Sequence, residues 1–197
     1  MDVISFFTMV VAISVSGTLA PGPLFFANIA RGIDHGSKSG LYFSVGHSIV
    51  ELPLILFLAT GLISVSNQLL ISVISGLFGG VSLVGFGILQ IKGALKGDTN
   101  LELRGKEKVG SSLMLGVTLT GLNPFFILWW LTAGIKLIHE AIALASFLGV
   151  LYMFTSHVWM DYAWLVLTAH LAERGKNIIK SGVYRALVLS FSLILIY

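Results

Sequence analysis

Two pairs of ionisable residues have the spacing of neighbours on one face of a helix. His47 precedes Glu51 by four residues, and His157 precedes Asp161 by the same interval. Because residues four apart meet on a helix surface, each histidine can share a proton with its carboxylate or act as its counter-ion. Histidine titrates near physiological pH, so both pairs predict proton-linked chemistry.

The composition of the chain places these pairs in a membrane. Of its 197 residues, 56% are hydrophobic and 11% are charged, whereas soluble domains contain about 25% charged residues. Glu51 and Asp161 are the only charged residues deep within the apolar stretches. A carboxylate at such a depth is costly unless it is paired, protonated or hydrated, so both are functional candidates.

The apolar stretches predict an all-α integral membrane protein with a single transmembrane domain over residues 1–197. Six helices are expected near 3–30, 40–63, 68–91, 111–134, 145–169 and 182–197. The first is interpreted as a retained span, because it lacks the basic start of a signal peptide and is too long for one. The sixth is short, since its sixteen residues reach only about 24 Å.

The basic residues predict the orientation. Eleven of the twelve lysines and arginines, Arg31 among them, fall in or beside the first, third and fifth loops, and Lys136 alone falls on the other side. Lysine and arginine accumulate on the cytoplasmic side, which predicts a multi-pass cell-membrane protein with both termini outside. Membrane orientation also explains the net positive charge, so no nucleic-acid partner is expected. The absence of cysteine excludes disulfides and thiolate metal sites.

The two halves of the chain share polar features in the same order. The histidine–carboxylate pairs recur at an offset of 110 residues, and the Pro21-Gly22-Pro23 motif recurs as Asn123-Pro124 at an offset of 101 between Pro23 and Pro124. We therefore predict one repeat over about 1–92, a cytoplasmic loop over about 93–110 and a second repeat over about 111–197. Since each repeat has three spans, the second enters the membrane inverted, as in many secondary transporters.

The prolines predict breaks in the first and fourth helices. A proline inside a helix removes one backbone hydrogen bond and clashes with the carbonyl four residues earlier, so the carbonyls of Gly17, Leu19 and Thr120 are expected to be released. Irregular backbone at membrane depth is tolerated where it is buried in protein or lines a wet cavity. A plain kink filled by neighbouring side chains is the alternative.

The helices that restart after these prolines offer N–H groups and the positive end of a dipole to a carboxylate. Asn28 and Asn123 are expected to add side-chain hydrogen bonds there. All four tryptophans, Trp129, Trp130, Trp159 and Trp164, are candidates for membrane-interface anchors, and the alternative for Trp159 is the wall of a cavity.

These motifs resemble the LysE/RhtB family of amino-acid exporters. The resemblance rests on Pro21-Gly22-Pro23, on Arg31-Gly32, Gly36, Gly40 and Gly46-His47, and on Asn123-Pro124. It implies a homodimer in the cytoplasmic membrane that exports amino acids such as lysine, threonine or leucine, generally driven by an ion gradient. The predicted substrate path comprises Pro21, Gly22, Pro23, Asn28, His47, Glu51, Asn123, Pro124, His157 and Asp161.

The leading hypothesis is a secondary exporter of amino acids that works by alternating access in the lipid bilayer. The restarted helices would bind the α-carboxylate, and Glu51 or Asp161 would receive the ammonium or a coupling proton. No cofactor, catalytic residue or resident metal is expected. The alternative is a divalent metal-ion transporter, because two histidines and two carboxylates suit such an ion if the second and fifth spans face each other. An intramembrane hydrolase is disfavoured, since His47 and Glu51 lack the H-E-x-x-H order of a zinc protease.

Overall fold

The computed structural model describes residues 2–64 and 109–175, and these residues are helical apart from short turns. The helices are α1 (Val3–Thr18), α2 (Pro23–Ser64), α3 (Ser111–Gly121), α4 (Pro124–Trp129), a π-helical turn (Trp130–Gly134) and α5 (Ile135–Arg174). The predicted all-α class is confirmed for this part of the chain. The predicted spans over 68–91 and 182–197 lie outside the described residues.

The first helix begins with a side-chain cap. One carboxylate oxygen of Asp2 accepts hydrogen bonds from the backbone N–H groups of Ile4 at 3.0 Å and Ser5 at 2.9 Å. These bonds satisfy donors that have no partner within the helix. The hydrogen bond from the Ser5 backbone is the main cause that lowers the pKa of Asp2.

Both predicted proline breaks interrupt helices. The chain leaves helical geometry between α1 and α2, and again between α3 and α4. The prediction that the breaks release the carbonyls of Gly17 and Thr120 is wrong, however. The Ala20 N–H donates to the carbonyl of Gly17 at 3.2 Å, and the Asn123 N–H donates to that of Thr120 at 3.1 Å. Each helix therefore ends in a tight three-residue turn that recovers an acceptor left over by the break.

The connections within α2 and α5 are kinks rather than loops. In α2 the kink is at Gly36, with φ 54° and ψ −144°, in a region of backbone geometry that is open mainly to glycine. In α5 it is at Ala145 and Ser146, where φ of Ser146 is 50°.

The predicted end of the fourth span at residue 134 is wrong, because the helix continues to the kink. Lys136, which suggested a loop, is exposed, while Leu137, Ile138 and Ala141 on the same segment are buried. The segment is thus an amphipathic stretch of helix, and its charged residue marks a solvated face rather than a chain end.

Glycines bring α2 and α5 into backbone contact. A Cβ atom on Gly32 would lie 2.7 Å from the Cα of Ala169, and one on Gly40 would lie 2.7 Å from the Cα of Val166. Small residues at such positions let helices approach closely. This contact fixes how the two helices face each other along their length.

A second layer of packing covers the other part of α2 and α5. Phe6 and Val10 of α1, Ile55 of α2, Trp130 of the π-helical turn and Met153 of α5 form one buried apolar cluster. Phe6 also stacks on Tyr152, with ring centroids 5.9 Å apart. The cluster joins α1 and the π-helical turn to the two long helices.

Three segments meet at one end of the bundle. Asp34 and Lys38 beside the α2 kink, Val109 before α3 and Glu173 near the end of α5 line one polar surface pocket. Their sequence positions correspond to the first, third and fifth predicted loops, which were all expected on the same side of the membrane.

Arg31 does not belong to a loop. It lies inside α2, is 1% exposed and donates from Nη2 to the Ser111 hydroxyl at 2.9 Å. The first loop shrinks to the kink at Gly36, so a residue five positions earlier is still helical. Arg31 therefore links α2 to the start of α3 and is not exposed to solvent.

Two helical stretches are long and apolar enough to cross a membrane, Pro23–Gly61 and Pro124–Arg174, while α1 and α3 are shorter apolar helices. Large apolar side chains also lie on the outside. Phe57 and Leu148 are each 72% exposed, and Leu122 is 76% exposed.

Candidate functional site

The contact between α2 and α5 brings the two histidine–carboxylate pairs together. Within each pair, Nε2 of His47 lies 3.3 Å from Oε1 of Glu51, and Nε2 of His157 lies 3.1 Å from Oδ2 of Asp161. Across the pairs, Nε2 of His157 lies 3.0 Å from Oε1 of Glu51, and Nε2 of His47 lies 3.9 Å from Oδ2 of Asp161. Each histidine therefore faces both carboxylates. We call these four residues the polar cluster.

The polar cluster lies near the middle of both long helical segments. His47 follows the Gly36 kink by eleven residues, and His157 follows Ser146 by eleven residues. At about 1.5 Å per residue, both histidines are roughly 16 Å along the helix from a kink. The pairs thus occupy matching positions in the two halves of the chain.

Residues beside the helix breaks hold the polar cluster. The hydroxyl of Thr18, at the end of α1, donates to Oδ1 of Asp161 at 2.9 Å. The hydroxyl of Thr120, near the end of α3, is 3.0 Å from Nδ1 of His47. The indole N–H of Trp130 donates to Oε1 of Glu51 at 3.3 Å. Each of these contacts joins one half of the chain to the other.

The polar cluster is buried and keeps unused hydrogen-bonding capacity. Glu51 is 1% exposed and Asp161 is 6% exposed. Oδ2 of Asp161 has Nε2 of His157 at 3.1 Å, whereas Oε2 of Glu51 and Nδ1 of His157 have no hydrogen-bond partner in the described part of the chain. Because buried polar groups are generally satisfied, these atoms point to a missing ligand or to water.

A cavity adjoins the polar cluster and both helix breaks. It has about 80 Å³ of room for the centres of water-sized molecules, which is several times the space that one water needs. Besides the polar cluster, its polar lining comprises Thr18, Gly22, Thr120 and Asn123. Its aromatic walls are Phe25, Phe125, Phe126, Trp129, Trp130 and Trp164.

The aromatic walls orient the histidines. Trp129 stacks on His157 with ring centroids 5.9 Å apart, and Trp130 meets the same ring edge-on at 5.4 Å. Phe126 packs edge-on against His47 at 5.1 Å. The two tryptophans that contact His157 are consecutive and lie at the start of the π-helical turn. Turns of this π-helical type are frequent at functional sites.

Six of the ten residues of the predicted substrate path line this cavity. They are Gly22, His47, Glu51, Asn123, His157 and Asp161. Pro21, Pro23 and Pro124 are next to lining residues in the chain but are not themselves part of the lining. Their contribution is the break in the backbone.

Asn28 does not reach the cavity, which corrects the sequence-based expectation. Its amide nitrogen donates to the carbonyl of Leu165 at 2.8 Å and lies 3.0 Å from the hydroxyl of Thr168. The side chain is fully buried between α2 and α5. Asn28 therefore fastens the two helices together, because its position in α2 turns it toward α5 rather than toward the break.

Asn123 lines the cavity, but its side-chain amide oxygen already accepts a hydrogen bond. Oδ1 of Asn123 accepts from the Phe125 N–H at 3.1 Å, which caps α4. The start of α4 therefore has one donor fewer for a ligand than the sequence suggested.

The tryptophans divide between the two roles expected for them. Trp159 is 49% exposed and donates to the carbonyl of Ser156 at 2.9 Å, so it faces outward. Trp164 lines the cavity and stacks on Phe25 at 5.8 Å. Trp130, considered as an interface anchor, is 1% exposed.

Sequence reasoning missed Thr18 as a site residue and gave Thr120 only a carbonyl role. Both precede the proline motifs, by three residues before Pro21 and four before Pro124. This shared placement was the available signal.

The family model described as LysE type translocator matches residues 15–197. The chain belongs to the LysE type translocator family. It is therefore a membrane protein of a transporter family, one that moves amino acids or related compounds. Neither the curated proteins nor the solved structures give a significant match to the chain.

Proposed function

We propose that this translocator is a secondary active transporter that exports amino acids or related small metabolites across the cytoplasmic membrane. It works by alternating access and is driven by a proton or ion gradient. The observation that carries the proposal is the polar cluster, which gathers two buried histidine–carboxylate pairs at a cavity beside both helix breaks.

The carboxylates of the polar cluster are the proposed seat of the substrate ammonium. Oε2 of Glu51 is a buried acceptor without a hydrogen-bond partner among the described residues, and Oδ2 of Asp161 is contacted at 3.1 Å by Nε2 of His157. An ammonium donating to such oxygens makes charge-assisted hydrogen bonds, which are about twice as strong as neutral ones. The aromatic walls add attraction between a cation and ring faces.

The start of α2 is the proposed seat of the substrate carboxylate. Gly22, which precedes α2, has no side chain to cap it, and Leu24 and Phe25 of the first turn line the cavity. N–H groups in the first turn have no acceptor within the helix, and the helix dipole favours an anion there. The start of α4 is the weaker candidate, since Asn123 already caps it.

The histidines are the proposed route of a coupling proton. Nε2 of His157 lies within 3.1 Å of a carboxylate oxygen of both Glu51 and Asp161. A proton can pass between the two carboxylates through this single ring nitrogen without crossing apolar space.

Alternating access would rest on an inverted repeat. Each described half consists of a helix, a proline break, a second helix, a kink and a long helix with its histidine–carboxylate pair. In inverted-repeat transporters the substrate site lies near the midplane between the repeats, which rock around it. The contacts from Thr18 to Asp161 and from Thr120 to His47 cross between the halves and would rearrange during that motion.

We propose the same membrane orientation and the same homodimeric assembly as in the sequence analysis. The bundle end with Lys38 and Glu173 would face the cytoplasm, following the distribution of lysine and arginine. Both termini would then lie outside. A homodimer is proposed from the family resemblance alone.

Counterflow in liposomes tests the proposal directly. The full chain is reconstituted, loaded with one unlabelled amino acid at a time, and given the labelled compound outside, with and without an imposed pH gradient. We expect saturable exchange of at least one amino acid that responds to the gradient and falls in Asp161→Asn. Absence of exchange for every amino acid, in vesicles shown to contain folded protein, would contradict it.

A further inference from the structure

The polar cluster also has the ligand chemistry of a metal site. We propose that it binds a divalent transition-metal ion of the Zn²⁺ class through His47, Glu51 and Asp161. All three side chains are buried, and one ligand atom from each lies within 4.8 Å of a ligand atom from each of the others. This inference is independent of the proposed amino-acid transport, because it rests only on the ligand geometry.

The distances between ligand atoms suit a tetrahedral ion. Zinc binds histidine nitrogen and carboxylate oxygen at about 2.0–2.1 Å, so two tetrahedral ligands are about 3.3 Å apart. Nε2 of His47 lies 3.3 Å from Oε1 of Glu51 and 3.9 Å from Oδ2 of Asp161. Only the second distance must shorten, by about half an ångström, when an ion enters.

Further residues orient these ligands as they do in zinc proteins. A metal-binding histidine usually donates its other ring N–H to an oxygen, which fixes the tautomer and points the free nitrogen at the ion. Nδ1 of His47 is 3.0 Å from the Thr120 hydroxyl, so Nε2 is the nitrogen left for the metal. Oδ1 of Asp161 accepts from the Thr18 hydroxyl, which leaves Oδ2 as the oxygen that faces the two histidines.

His157 borders this set of ligands. Its Nε2 lies 3.0 Å from Oε1 of Glu51 and 3.1 Å from Oδ2 of Asp161. One histidine nitrogen and two carboxylate oxygens suit zinc, cobalt or nickel better than magnesium or calcium, which prefer oxygen alone. The net charge of two carboxylates also matches a divalent cation.

The test measures metal affinity of the full chain purified in detergent and stripped of metal by a chelator. Zn²⁺ is titrated in competition with a chromogenic chelator, and Co²⁺ absorption reports tetrahedral coordination. We expect one ion per chain and intense visible cobalt bands. Asp161→Asn and His47→Gln are each expected to weaken Zn²⁺ binding at least tenfold, while His139→Gln, an exposed histidine of α5, keeps it unchanged.

A second variant separates ligand loss from misfolding. Thr120→Val leaves every proposed ligand in place and removes only the oxygen beside Nδ1 of His47, so affinity should fall about 10–100-fold. Equal Zn²⁺ affinity in the wild-type, Asp161→Asn, His47→Gln and Thr120→Val proteins would overturn the proposal, as would the lack of stoichiometric binding. Counterflow on the same samples is scored separately, so failure of amino-acid transport leaves the metal result interpretable.

Discussion

Replacing the carboxylate of Glu51 with an amide tests the core of the proposed mechanism. Oε1 of Glu51 lies 3.0 Å from Nε2 of His157 and 3.3 Å from Nε2 of His47. Glu51→Gln keeps the shape and one acceptor oxygen but removes the charge. The variant therefore isolates electrostatics from packing in a residue that is 1% exposed.

The expected loss follows from the number of charged contacts. A hydrogen bond to a charged group contributes about 1.5–3 kcal/mol, against about 0.5–1.5 kcal/mol for a neutral one. Removing the charge from two contacts, whether they are made by the two histidines or by a substrate ammonium, thus costs about 2–3 kcal/mol. Since about 1.4 kcal/mol corresponds to a factor of ten, the kcat/KM of counterflow should fall roughly 30–150-fold.

The assay is counterflow of the best amino-acid substrate in liposomes with equal amounts of wild-type and variant protein. Glu140→Gln is the matched control, because Glu140 lies on α5 but does not line the cavity. Glu51→Asp should recover part of the rate by restoring the charge. Gel filtration of each variant verifies folding, and Asp161→Asn repeats the test at the partner carboxylate.

One result would refute the reasoning. If Glu51→Gln and Asp161→Asn both exchange substrate within threefold of the wild-type rate, with and without a pH gradient, neither carboxylate binds the ammonium or the coupling proton. The cavity would then be a structural feature rather than the transport site.

Three further variants test the scaffold around the site. Gly36→Ala should lower the free energy of unfolding by about 1–3 kcal/mol, since φ is 54° and a Cβ there would overlap the Glu173 carboxylate. The control is Gly61→Ala, where a Cβ would meet nothing within 4 Å and the melting temperature should stay unchanged. Equal melting temperatures of the two variants would argue against strain at the kink. Asn28→Ala should cost about 1–3 kcal/mol, because it removes two hydrogen bonds of about 0.5–1.5 kcal/mol each, and substrate KM in counterflow should not change. A raised KM at unchanged stability would return Asn28 to the substrate path. Asn123→Ala should cost about 1 kcal/mol through loss of the α4 cap, measured by thermal unfolding, and an unchanged melting temperature would show that the cap contributes nothing.

Much of the local structure could be predicted from the sequence because its causes are local. Proline has no N–H and clashes with the preceding helical turn. Pro23 and Pro124 therefore mark helix starts, whatever packs around them. The spacing of His47 and Glu51 sets them on one helix face whatever surrounds that helix. The gap between the predicted fourth and fifth spans, residues 135–144, is helical instead. The charge of Lys136 indicates contact with water. A helix can expose one face to water without ending.

The function of polar residues near the breaks could not be predicted in the same way. Asn28 and Asn123 have the same side chain, and both lie within five residues of a proline. One ties α2 to α5 and the other caps α4 at the cavity. The difference arises from the direction in which each position points after the helices pack, and no single-helix pattern contains that direction.

The sequence alone determined that the chain is helical, apolar enough for a membrane, broken at two proline motifs and equipped with two histidine–carboxylate pairs. Composition and short-range spacing are sufficient for these properties. Only the tertiary structure decided that the pairs meet, since Glu51 and His157 are 106 residues apart and come within 3.0 Å. The close approach of α2 and α5 at Gly32 and Gly40 makes this contact possible, because helix packing brings together residues that are far apart in the chain.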